Sequence, residues 1–68
     1  MRRYYFELLD DHYNDLGAFI PDGSRKESAV NKAKKWMNEN GITNAILSVN
    51  SMLTDNILDM IDINLNNN

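Results

Sequence analysis

The residues with the clearest chemical potential lie in one short run, Asp10-Asp11-His12-Tyr13-Asn14-Asp15, which holds three carboxylates around the only histidine. A histidine among acids could move protons near neutral pH or help to hold a cation. The spacing does not develop either idea. A calcium loop needs a longer ordered set of oxygen ligands with a glycine turn and a distal acid. A zinc site needs three or four well-spaced nitrogen or sulfur ligands. The run is also rich in turn-forming residues, so a solvated turn is the expectation, with no metal bound.

Nucleophilic chemistry has less support still. The chain has no cysteine and a single His for any serine to use, and it has no G-x-S-x-G elbow. Gly17, Gly23 and Gly41 lie too far apart for a phosphate loop or a dinucleotide fingerprint. A domain this small has little room for a pocket that buries a substrate. The expectation is therefore no enzyme, no catalytic residue and no cofactor.

A second concentration of chemistry is basic. From Ser24 to Met37 there are five bases and one acid, against two bases and nine acids elsewhere, within a net charge of −3. Arg25, Lys32, Lys34 and Lys35 could contact phosphates. The acidic remainder and a pI near 4.8 oppose a nucleic-acid backbone. Nucleic-acid binding through this face is the alternative reading, and solvated lysines are the simpler one.

The element carrying these bases is marked at both ends. Ser24-Arg25-Lys26-Glu27 has the capping-box form, and Gly41 after Asn40 can close a helix in the left-handed conformation. Residues 25–40 are then helical. Ala29, Val30, Ala33, Trp36 and Met37 form an apolar stripe, with Trp36 expected to be the costliest single residue to lose, and Ile42 is placed to contact Met37 across the helix end.

Strand-like segments flank this helix. Residues 3–9 alternate and are aromatic-rich. Residues 16–20 read as a second strand, hairpin-paired to the first and stopped by Pro21-Asp22-Gly23. Residues 45–49 read as a third. The last element, 57–65, is read as a strand because isoleucine and asparagine are mediocre helix formers; a helix with Asp55, Asp59 and Asp62 on one stripe is its alternative. The expected fold is α+β: a four-stranded, mostly antiparallel sheet with one helix on one face, in the order β-β-α-β-β, or β-β-α-β-α. Residues 1–65 form one domain and 66–68 a disordered asparagine tail.

The run Gly17-Ala18-Phe19-Ile20-Pro21-Asp22 ahead of a helix resembles the HicB-type antitoxin domain, in which a strand ends in a Pro-Asp turn before an amphipathic helix. The chain lacks that family's intervening strand and acidic helix start. The resemblance implies only a small regulatory, partner-binding domain.

A four-stranded sheet is wider than one helix, and its far face has no cover at all. Alternation places Tyr5, Leu9, Phe19, Ile46, Leu58 and Met60 on that far face, and extended apolar patches mark partner sites. Chains of 68 residues have thin cores and often gain stability by associating. The expected partner is a second copy, or another protein, and not a membrane. Glu7 and Asp10-Asp11 interrupt the signal-like start, and no apolar run approaches the ~20 residues of a membrane span. With no disulfide possible, the expected location is the cytoplasm.

Overall fold

The computed structural model describes residues 4–21 and 25–66. Its elements are strand β1 (Tyr4–Leu9), helix α1 (Lys26–Glu39), strand β2 (Asn44–Ser51) and strand β3 (Ile57–Asn64). The three strands form one antiparallel sheet in the order β1-β2-β3, with β2 in the centre. The order β-α-β-β replaces the expected four-stranded β-β-α-β-β. The class remains α+β, and the last element is a strand, not a helix.

The missing strand is residues 16–20. Leu9 and Asp15 form one isolated bridge, and the Leu16 N–H donates to the Leu8 carbonyl at 2.9 Å. Pairing then stops. The Asp15 carboxylate accepts the Gly17 N–H at 2.7 Å, and Gly17 takes φ +79°. That left-handed residue turns the chain off the ladder. Beyond it Ala18 and Ile20 point inward while Phe19 points outward. The alternation that suggests a strand is thus real, but it reflects one inward side without a strand partner.

Register explains the core. Phe6 lies opposite Val49 and Leu8 opposite Leu47; Leu47 lies opposite Ile61 and Ala45 opposite Ile63. All share the face that α1 covers. Ala29, Ala33 and Met37 of α1 are fully buried against this set, and Ile20 completes it. Small alanines let the helix backbone come close to the sheet, while Met37 fills the remaining space. Burial of each large member contributes about 1.5–3 kcal/mol. Trp36 and Val30 are only partly buried at the stripe's margin, so Met37, not Trp36, is the helix's central anchor.

Three strands span about 10 Å between outer strand axes, so one helix about 10–12 Å across covers one face. The sheet is not too wide for its helix, as four strands would be. What the described residues leave uncovered is the opposite face.

The helix ends differ from one another. The N-cap is Arg25, extended and without a side-chain capping bond; Ser24, the expected cap, lies outside the described residues, as do Asp22, Gly23, Asn67 and Asn68. At the other end Gly41 has φ +69°. The Ile42 N–H reaches back to the Met37 carbonyl at 2.9 Å, the Schellman closure that the Asn40-Gly41-Ile42 sequence favours.

Candidate protein-interaction surface

The acid-and-histidine run is a turn. Asp10 accepts the backbone N–H groups of His12 and Asn14, each at 2.8 Å. The Asp10 N–H donates to the Asn14 carbonyl, and Tyr13 takes φ +65°. Asn14's backbone N–H foremost holds the Asp10 carboxyl below its ordinary value; desolvation opposes it, and the His12 N–H and the Asn14 side chain add to the lowering. His12 stands 3.7 Å from Asp11 with both side chains in solvent. Asp10 therefore serves the backbone, and among the described residues no group of three or more metal-ligating side chains converges.

The sheet face away from α1 has two characters. At its centre the register sets Ser48 between Glu7 and Met60, and Asn50 between Tyr5 and Ile57. Ser48 and Asn50 are buried although no layer lies over this face, because the flanking strands' side chains close over them. They are bonded to each other and to Glu7: Asn50 Nδ2 donates to Ser48 Oγ at 3.1 Å and to Glu7 Oε1 at 3.3 Å, and Ser48 Oγ donates to the Glu7 carbonyl at 3.4 Å. This polar seam splits the apolar surface.

Of the six expected interface residues, Tyr5, Leu9, Ile46, Leu58 and Met60 lie on this face and Phe19 does not. Phe19 is 83% exposed and lines a separate groove with Trp36, Lys32 and Lys35. Once residues 16–20 leave the sheet, Phe19 has no place on its far side. Leu9 is on the face but buried. Tyr5 is half-buried, and its hydroxyl donates to Asp55 Oδ1 at 3.1 Å across the end of β2. Partial burial first, then this bond and the charges of Asp55 and Glu7, raise the phenol above its ordinary value.

The exposed apolar surface instead gathers at β3. Seven large hydrophobic side chains are exposed among the described residues, and five of them, Met52, Leu53, Ile57, Leu58 and Met60, fall within residues 52–60. Two of these neighbours are forced together by a bulge. Val49 opposes Asp59 while Asn50 opposes Ile57, leaving Leu58 as an extra residue, so Ile57 and Leu58 are both turned from the core. A shallow groove of about 430 Å³ beside them is lined by Glu7, Leu9, Tyr13, Asp15, Ile57 and Met60.

Strand β3 is also a free edge. The Leu65 N–H bonds to the Thr43 carbonyl at 2.9 Å, and the same register continues from Asn44–Asn64 inward. Antiparallel pairs alternate between bonded and non-bonded. Ile63, Ile61 and Asp59 therefore direct their backbone groups to β2, and Met60, Asp62 and Asn64 direct theirs outward. Among the described residues, the Met60 N–H donates to the neighbouring Asp59 Oδ1, at 2.9 Å. No described segment pairs with this outer side.

The basic residues are a separate surface. Arg25, Lys32, Lys34 and Lys35 are all exposed on or beside α1. Lys32 Nζ donates to Ser28 Oγ, and Lys26 stands 3.6 Å from Asp59 of β3. No described helix is long and apolar enough to cross a membrane.

Sequence reasoning missed Ile57, Met52, Leu53 and the seam Glu7–Ser48–Asn50. The seam had a signal, because all three share the parity of the far face. The bulge had none. No family model, curated protein or solved structure matches the chain.

Proposed function

We propose that the chain is a small, non-catalytic protein-interaction module that self-associates through strand β3 and the sheet face beside it. One observation supports this above the others: the exposed apolar stretch of residues 52–60 runs from the preceding turn into β3, the strand that also carries the unpaired edge. Long, unprotected edges template pairing with another chain, and apolar residues concentrated at one place mark partner sites. Strand β3 contains neither Lys nor Pro, and its edge-blunting features, the bulge at Leu58 and the charges of Asp59 and Asp62, leave the ladder regular from Met60 to Asn64. Of the α1 bases, Lys26 reaches β3 at Asp59, 3.6 Å away, while Lys32 and Lys35 line the separate groove beside Phe19.

The test replaces Leu58 and Met60 together by aspartate, which adds like charge beside Asp59 and Asp62, and measures solution mass. Both side chains point to solvent, so the variant keeps its far-ultraviolet circular dichroism. The expected result is a mass approaching twice 7.9 kDa for the unaltered chain at high micromolar concentration and the monomer mass for the variant. Equal masses for the two proteins contradict the reading.

A further inference from the structure

The outward backbone groups of β3 are arranged so that the strand complements itself. We propose that two copies join β3 to β3 antiparallel about a two-fold axis at Ile61, giving one continuous six-stranded sheet with both helices on the same face. This rests on the self-association reading and specifies its geometry.

The register follows by elimination. A two-fold axis perpendicular to the sheet preserves faces, so residues opposed across it share parity. Centring on Asp59 or on Asp62 sets two carboxylates directly opposite, which is destabilising. Centring on Met60 brings Asp62 opposite Leu58, the bulged residue, whose backbone no longer points squarely outward. Only the Met60 pair then bonds. Centring on Ile63 or on Asn64 leaves most of β3 beyond the partner strand. Centring on Ile61 sets Met60 opposite Asp62 twice, and both have outward N–H and C=O groups. Four backbone hydrogen bonds result, with the two Ile61 side chains as a non-bonded pair about 4.5 Å apart at Cα. β-branched pairs at such positions favour the sheet. The two Met60 side chains meet diagonally on the far face.

Asp59 opposes this pairing. Its carboxylate holds the Met60 N–H, which must turn to the second copy instead. Asp59→Ala releases that donor in each copy, and the dimer should tighten about tenfold.

Cysteine cross-linking tests the register, since the chain has no cysteine of its own. Ile61→Cys should form a covalent dimer on mild oxidation in buffer and not in urea, as the Cα separation suits a disulfide. Ile61 also packs on the core, so a second experiment uses only exposed positions. An equimolar mixture of Met60→Cys and Asp62→Cys proteins should give mixed dimers in excess over either self-linked dimer. Dominant self-linking of Asp62→Cys overturns the register. Failure of all cross-links at a concentration where light scattering reports a dimer overturns edge pairing and leaves self-association standing. A monomer mass at that concentration overturns both.

Discussion

The two outer strands of this sheet are finished in different ways. Beyond Leu9 the chain turns back on itself: Asp10 gathers the His12 and Asn14 N–H groups, and Leu16 bonds to Leu8. The outer edge of β1 is thereby covered from Leu8 onward, and Phe6, Leu8 and Leu9 are buried. Strand β3 has no such cover among the described residues, and its side chains are exposed along most of its length. Small domains cannot bury every edge with the chain they have. Here the covering segment lies on β1, and the proposed self-association uses the side left without cover among the described residues, β3.

The contrast is broken most directly by truncating one leucine on each strand. Leu8→Ala, in a fully buried position, should cost about 2–5 kcal/mol of stability in urea denaturation. A marginal domain would be largely unfolded by it. Leu58→Ala, at an exposed position, should leave monomer stability within about 0.5 kcal/mol and weaken association. Similar losses of stability would mean that the strands do not differ as described.

The cover over β1 is the next target. Gly17 sits at φ +79° with open space where a Cβ would go, so Gly17→Ala meets only backbone strain, about 1–2 kcal/mol. Amide exchange at Leu16 should accelerate in this variant while exchange at Leu47 and Val49 follows global stability alone. Protonation attacks the same cover more gently. Asp10 has a lowered value in the folded protein, so its contribution is complete above the ordinary carboxylate range and is lost as pH falls through the folded value. The Leu16 amide should lose protection in that acid window, after correction for intrinsic exchange, and Asp10→Asn should remove the dependence. The smallest effect belongs to the helix face: Lys32→Ala with Lys35→Ala should leave dimer affinity unchanged by sedimentation.

The α+β class and the inward faces of β1, α1 and β2 were legible as periodicity; the number of strands was not. The stripe from Ala29 to Met37, the Gly41 closure and the inward set Phe6, Leu8, Leu47 and Val49 follow from spacing alone. Residues 16–20 misled because alternation reports which side is buried, and a segment lying along a core alternates whether or not a second strand bonds to it. Arg25 as N-cap and the marginal place of Trp36 depend on how the chain enters the helix and where the helix crosses the sheet, which local pattern does not encode. For the candidate surface, Tyr5, Ile46, Leu58 and Met60 were legible from parity. The displacement of Phe19 and the exposure of Ile57 were not, since one depends on the lost strand and the other on a bulge.

The most direct measurement is the molar mass of the unaltered chain by light scattering across a concentration series. Self-association through β3 predicts a mass that rises from 7.9 kDa toward twice that value and then levels off. A mass that remains at 7.9 kDa through the high micromolar range would contradict it.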